Sequence, residues 1–541
     1  MFRSYSAASV LVVLIAGPSV QAQNKDGISA GDWLTYNRDY TGDRYSPLSE
    51  ITAKNIASVQ TLCTYDSGAK ASFETGPVVA AGTLYFTTLD STFAIDAANC
   101  KLRWKHTEPL TAAQRQGLGV NRGVAFAGGK VFRGYDDGNV MAIDAASGKP
   151  VWHTKIADHS NGETIPSAPL AWNGMVFIGQ AGGDNYGVTG RIYALDENTG
   201  KVRWEFHVVP GGGAAAATWT KKSAQNPPTG GATWTTYQVD PATGVLWVGT
   251  GNVAPDFILA MHPGENLYTS SILALDAGSG KLLAYIQPVK HDYHDWDMAT
   301  PPALITTRGG HKLAVAAGKD GFVYGIDAAG VPAAGSAQQA KVLRSEYQAV
   351  ATTREDFDAP LTSAKFTRFC PGSQVGAEWN GPAYSAQTNL VYVPEIDWCT
   401  SVQLTPVNQM RGGPGQPWSG AHDKGFGKQD PVEKWGGWVT AVDADTGKVA
   451  WKYHAPTPVT AGVTPTAGGL LFSADMDGNL VALDARSGKK LWSHSTGQPI
   501  GGGIVSYEAG GHQRIAVAAG LNSPIWPNHG TSSRIVVFGL K

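Results

Sequence analysis

Basic clusters are missing from this sequence. Lys and Arg number 42 against 44 Asp and Glu in 541 residues, a formal net charge of −2, and no Lys/Arg run is interleaved with aromatics. That absence argues against nucleic acid as a partner. Helical periodicity is almost wholly lacking too, which leaves a β architecture to be sought. Cysteine is scarce: Cys63, Cys100, Cys370 and Cys399 are all there is. None forms a Cys-x-x-Cys-His run, so the chain carries no covalently attached c-type haem. A membrane-spanning run is missing as well. The apolar stretch from Ala7 to Ala16 is shorter than the roughly 20 residues a bilayer span needs.

That stretch sits between Met1-Phe-Arg3 and Val20-Gln-Ala22, a charged start and a small-residue cleavage site. Residues 1–22 therefore read as a signal peptide, with a mature chain starting near Gln23 in the periplasm or outside the cell. No cysteine adjoins the cleavage site, which excludes lipid attachment there. In an oxidising compartment an even cysteine count suggests disulfides. Sequence order favours Cys63–Cys100 and Cys370–Cys399, each joining neighbouring strands, out of three formal pairings.

What the chain has in quantity is glycine, 67 residues, tryptophan, 17 residues, and a repeated phrase. The phrase reads Ala94-Ile-Asp-Ala-Ala-Asn-Cys-Lys-Leu-Arg-Trp104 and Ala142-Ile-Asp-Ala-Ala-Ser-Gly-Lys-Pro-Val-Trp152. It returns from Ala194 to Trp204, Ala274 to Ala284, Ala441 to Trp451 and Ala482 to Trp492, with a decayed copy at Gly325-Ile-Asp327. The pattern specifies a hairpin. A strand ends at Asp, whose carboxylate can bond turn amides; Ser/Thr-Gly supplies a positive-φ position; the next strand opens with an outward Lys and a buried Trp. The Gly-Lys pairs lack the upstream glycine of a phosphate loop, so these lysines are turn residues.

The aspartates recur about every 40–50 residues, the propeller signature. The longer interval between Asp327 and Asp443 holds an extra copy from Tyr384 to Pro394. That between Asp196 and Asp276 holds an insertion with the flexible Gly211-Gly-Gly-Ala-Ala-Ala-Ala217. The expectation is one all-β domain over residues 23–541. It would be a single eight-bladed β-propeller with tryptophan-docking repeats, closed by its termini.

One polar stretch interrupts this scaffold. His291-Asp-Tyr-His-Asp-Trp-Asp-Met-Ala-Thr-Pro-Pro302 places three carboxylates and two histidines between apolar strands, and such an interruption is a candidate site. The histidines have metal-pair spacing but no third ligand motif, and are read as structural.

The tryptophan-bearing repeat, the size and the signal peptide together resemble the PQQ-dependent alcohol dehydrogenases, the quinoprotein family that includes methanol dehydrogenase. By that resemblance Asp297, following Trp296, is the catalytic base. Glu74, in Phe73-Glu-Thr-Gly-Pro77, lies near the cofactor, and Arg122, in Val120-Asn-Arg-Gly-Val124, holds a PQQ carboxylate. Thr164 or Ser167 supplies a hydroxyl, and Trp234, in Gly230-Gly-Ala-Thr-Trp234, stacks on the flat quinone. Lys319, in Ala317-Gly-Lys-Asp-Gly321, stands beside the quinone oxygens, and Asn380 and Trp438 are further cofactor contacts. Asn252 and Asp297 ligate the metal.

Three departures bear on chemistry. In Gly183-Asp-Asn-Tyr-Gly-Val-Thr-Gly190 the family's ligating glutamate is replaced by Asn185, with Asp184 beside it, so either oxygen could reach the metal. Gln116 and Gly117 stand where methanol- and ethanol-type members carry adjacent cysteines. Ala299 stands where lanthanide-dependent members carry a second aspartate, which favours Ca²⁺. The resemblance implies an alcohol substrate and reoxidation by a separate periplasmic cytochrome c or similar acceptor. The competing reading is a non-catalytic propeller scaffold that binds protein partners.

Overall fold

The computed structural model describes residues 28–111, 118–298, 300–336, 338–423 and 425–541. The expected signal peptide, residues 1–22, and Gln116, Gly117 and Ala299 lie outside the described residues.

The chain forms a β-propeller of successive antiparallel sheets. Among the described residues eight sheets have four strands or more, and a small three-stranded sheet accompanies them. The first, Val78–Ala80, Thr83–Thr87, Ser91–Asp96 and Leu102–Thr107, sets the pattern. Regular α-helix among the described residues is the single turn Gly213–Ala216. No helix among them is long and apolar enough to cross a membrane.

The repeated phrase folds as its chemistry dictates. Asp144 accepts the Ser147 N–H at 2.8 Å and Asp443 the Thr446 N–H at 2.9 Å, closing the turn between the third and fourth strands. The turn glycine meets two demands at once. Gly148 has φ 72°, and a Cβ there would lie 2.7 Å from the Trp104 ring; Gly200 has φ 70°, and its Cβ would lie 2.5 Å from Trp152. The outer-strand indoles of Trp104, Trp152 and Trp204 thus lie against the next sheet's glycine, and each Nε1 donates to the carbonyl that follows that sheet's aspartate: Trp104 to Ala145 at 2.9 Å, Trp152 to Glu197 at 3.0 Å, Trp204 to Ala277 at 2.9 Å.

Closure uses a different device. Gln60–Asp66 pairs with Arg534–Gly539 as the outer strand of the last sheet. No tryptophan follows there. Cys63 reaches the Cys100 position of the first sheet, which is glycine in the better copies and holds φ 61°, and the two form a disulfide. This pair joins two sheets rather than neighbouring strands. Cys370–Cys399 does join neighbours, flanking the paired Phe369 and Thr400.

One expectation is corrected. Tyr384 to Pro394 is not a separate copy: Leu390–Asp397 pairs with Gly436–Asp443 in the sheet that carries the Asp443 phrase. The eighth sheet is the one built from both ends of the chain. A loop over residues 403–427 spreads one hairpin apart, which disguised the two strands as different units.

Candidate active site

In each sheet the start of the first strand and the end of the second lie at the same edge, because the two run antiparallel. Loops entering the first strand bring Glu74, Arg122, Thr164, Trp234, Asp297 and Trp379 to one face; loops leaving the second bring Asp184, Asn252 and Lys319 to it. Together they line a cavity of about 330 Å³.

Asp297 is held on both oxygens. The Asn252 backbone N–H donates to Oδ1 at 2.6 Å, and Lys319 Nζ lies 2.9 Å from Oδ2. Lys319 also stands 3.4 Å from Asp295 Oδ2. Burial would favour the neutral amine, but the charges of Asp295 and Asp297 outweigh it and hold Lys319 above its ordinary range. Arg122 Nη2 lies 2.7 Å from Glu74, and its Nη1 donates to the Trp234 carbonyl at 2.9 Å. Its guanidinium sits 4.7 Å above the Trp234 ring and 5.3 Å from that of Trp379. Burial raises Glu74 to about 7 despite the opposing Arg122 charge.

Carboxylates crowd this face. Oxygens of Asp184, Asp256 and Asp295 all lie within 4.8 Å of one another. Burial and the Asp297 charge push Asp184 up to about 6. Burial and the Asp184 charge push Asp256 well above its usual range. Asp184, Glu378 and Asp136 line the cavity, whereas Asp256 and Asp295 are not among its lining residues; burial raises Glu378 and Asp136 to about 7. Against them stand Arg122 and Lys319. Anions in such excess favour an added hard cation, and carboxylate and amide oxygens are its natural ligands. A planar tricarboxylate quinone also suits the face: Arg122 Nε is buried without a partner, Lys319 is cationic, and Trp234 offers a flat ring.

Of the residues singled out in sequence, Glu74, Arg122, Thr164, Gly183, Asp184, Asn185, Trp234, Asn252, Asp297 and Lys319 line the cavity. Ser167, Asn380 and Trp438 do not. Asn380 is consumed in tying loops together, accepting from Tyr36 Oη at 3.0 Å and donating to the Thr460 carbonyl at 2.7 Å. Trp438 donates to Asp397 at 2.8 Å beside the His454 ring. Ser167 is buried off the lining, where only Thr164 and Pro166 of its segment appear. Asn185 reaches the wall, where its amide N–H donates to the Gly162 carbonyl at 2.9 Å, and the neighbouring Asp184 belongs to the carboxylate group. His294 packs on Trp296 at 4.1 Å, and Asp292 accepts the His294 and Trp296 N–H groups at 3.0 Å each, shaping the loop that presents Asp297.

Sequence reading passed over Asp256, Glu378, Trp379 and Trp526. Asp256 lies shortly after Asn252, and Glu378 and Trp379 immediately precede Asn380, two asparagines that it singled out. Trp526, in Pro524-Ile-Trp-Pro527, lies outside any repeat phrase.

A family model described as "Glucose/ethanol/alcohol dehydrogenase, beta-propeller domain" matches residues 33–332. A second, described as outer membrane protein assembly factor BamB, matches residues 436–519. The chain is 30% identical to quinohemoprotein alcohol dehydrogenase ADH IIB of Pseudomonas putida, over 98% of this chain and 81% of the relative. It is also 30% identical to the lanthanide-dependent methanol dehydrogenase of Methylacidiphilum fumariolicum, over 83% and 78%. Among solved structures, a europium-containing methanol dehydrogenase superposes with TM-score 0.82 at 26% identity, covering 95% of this chain and 98% of that one. The quinohemoprotein alcohol dehydrogenase ADHIIG of Pseudomonas putida HK5 gives TM-score 0.84 at 26% identity, over 94% and 80%.

Proposed function

This chain belongs to the PQQ-dependent alcohol dehydrogenase family, and we propose that it oxidises an alcohol to an aldehyde or ketone in this cavity, with Asp297 as base. The observation that carries the reading is the sealed Asp297, fixed between the Asn252 N–H and the Lys319 ammonium on the cavity wall.

PQQ, when bound, supplies the two-electron acceptor for the substrate's hydride. Arg122 would hold a cofactor carboxylate, Trp234 would support the flat ring, and Glu74, Thr164 and Gly183 would border it. Lys319 places a positive charge where negative charge develops on the cofactor side, in a site with little water to screen it. Asp297 accepts the hydroxyl proton of the alcohol at Oδ2, the oxygen nearest Lys319. Asn252 and the carboxylates beside it would hold a hard cation.

The eight sheets are read as eight blades of one ring docked through tryptophan. The N-terminal 22 residues address the chain to the periplasm. With no haem attachment motif in the chain, a separate cytochrome c or similar carrier takes the electrons.

The test is alcohol-dependent dye reduction by the purified chain supplied with PQQ and the metal. No activity across a broad alcohol panel, with no PQQ absorbance retained after desalting, would replace this reading with a scaffold that binds protein partners.

A further inference from the structure

Asp256 has no relation to the repeat phrase and none to Asp297 in sequence. It follows Pro255 in a loop leaving the second strand of its sheet, and it is fully buried. Neither carboxylate oxygen makes a hydrogen bond of ordinary geometry, though the Asn252 amide lies beside it. A buried carboxylate without donors is among the costliest groups a protein can hold, and it persists where something else meets the charge. Among the described residues no Lys or Arg makes an ion pair with it; Lys319 is engaged by Asp297 at 2.9 Å and Asp295 at 3.4 Å. What Asp256 does face is carboxylate: its oxygens lie within 4.8 Å of those of Asp184 and Asp295. Gln374 Nε2 donates to Asp295 at 3.0 Å, so that carboxylate is oriented.

We propose that Asp256 is a ligand of the site's cation, completing with Asp184 and Asp295 a three-carboxylate set that selects a trivalent ion over Ca²⁺. The inference rests on reading the cavity as a cation-assisted quinone site. Hard oxygen donors at this spacing suit either ion, and ligand charge decides between them. Three carboxylates balance a trivalent ion, whereas a divalent ion leaves one negative charge uncompensated among buried groups. The missing carboxylate at Ala299, which favoured Ca²⁺ in the sequence, is made good from a loop about 40 residues earlier.

The experiment uses the metal-free full chain and terbium luminescence excited through its tryptophans, with Ca²⁺ and La³⁺ as competitors. The expected result is Tb³⁺ and La³⁺ binding well over tenfold tighter than Ca²⁺. Asp256→Asn should weaken Tb³⁺ by roughly 100-fold and Ca²⁺ by roughly 10-fold, the difference following the lost charge. The metal-free Asp256→Asn chain should also melt above the parent, because an unpaired buried charge has gone. Asp256→Ser repeats the test should the Asn variant not fold. Unchanged affinities in the folded variant would remove Asp256 from the site, and tighter Ca²⁺ than Tb³⁺ binding by the parent would overturn the selectivity. None of these readouts needs quinone or alcohol. Metal behaviour as expected with no quinone uptake would sink the dehydrogenase reading and leave the ligand assignment standing; the reverse pattern would do the opposite.

Discussion

Lys319 Nζ and Asp297 Oδ2 lie 2.9 Å apart with both side chains sealed from solvent, and the second Asp297 oxygen is fixed by the Asn252 N–H. The carboxylate therefore has one orientation and a permanent countercharge. Asp297→Asn keeps the shape and loses the proton acceptor. Turnover in dye reduction should fall by about 10²–10⁴, with quinone still retained after desalting. Undiminished turnover would remove Asp297 as the base.

Arg122 is a fork as well as a charge. It joins Glu74 at 2.7 Å, the Trp234 carbonyl at 2.9 Å and the faces of two indoles. Arg122→Lys retains the charge but cannot reproduce these contacts. Quinone affinity, measured by equilibrium titration of absorbance, should drop by about 10–100-fold. An unaltered affinity would place the quinone carboxylate elsewhere.

Docking through tryptophan is an energetic claim. Trp104 is 9% exposed and lies against Gly148 while donating to Ala145. Trp104→Ala should cost about 3–5 kcal/mol in unfolding free energy by denaturant titration. Trp104→Phe, which keeps a ring and loses the donor, should cost nearer 1 kcal/mol. Equal costs for the two would mean that the bond, not the packing, matters.

The Cys63–Cys100 pair stands where other sheets have an indole on a glycine. Cys63→Ser with Cys100→Ser should lower stability by about 2–4 kcal/mol. Melting midpoints with and without reductant check this: the parent should drop on reduction and the double variant should drop less, keeping only the Cys370–Cys399 response.

Glu395 supplies a pH dependence away from the cavity. It is buried on Leu390–Asp397, accepts from Thr440 Oγ1 at 2.8 Å, and burial lifts it from an ordinary 4.5 to about 8 despite Thr440 and Lys452. A folded-state pKa above the unfolded one means that the folded chain binds more protons. Its contribution is complete below pH 4.5 and is lost as pH rises through about 8. Glu395→Gln should flatten the melting curve across that window and raise the midpoint at pH 9. A variant as pH-sensitive as the parent there would contradict the burial effect.

Local and periodic features were legible in the sequence because each is set by a few consecutive residues. Asp before a turn, glycine where φ is positive, and tryptophan on the outer strand repeat visibly, so the all-β propeller could be read from them, while Asp297, Lys319 and Arg122 were picked out by the resemblance of their motifs to those of a known family. The two cysteine pairings followed from chain order as well. What the chain order could not convey is which loops converge. Asp256 reads as an ordinary acid after proline, and only the shared edge of adjacent sheets brings it to Asp184 and Asp295. Asn380 and Trp438 carry suitable chemistry, yet their hydrogen bonds go to Tyr36 and Asp397 instead of the cavity. Copy counting likewise took one long hairpin for two units, although it expected the termini to close the ring. Strand pairing and loop convergence are long-range contacts, whereas the repeat is short-range chemistry. The sequence determined the scaffold and the candidate actors by the second; the tertiary structure alone decided, by the first, which of them meet.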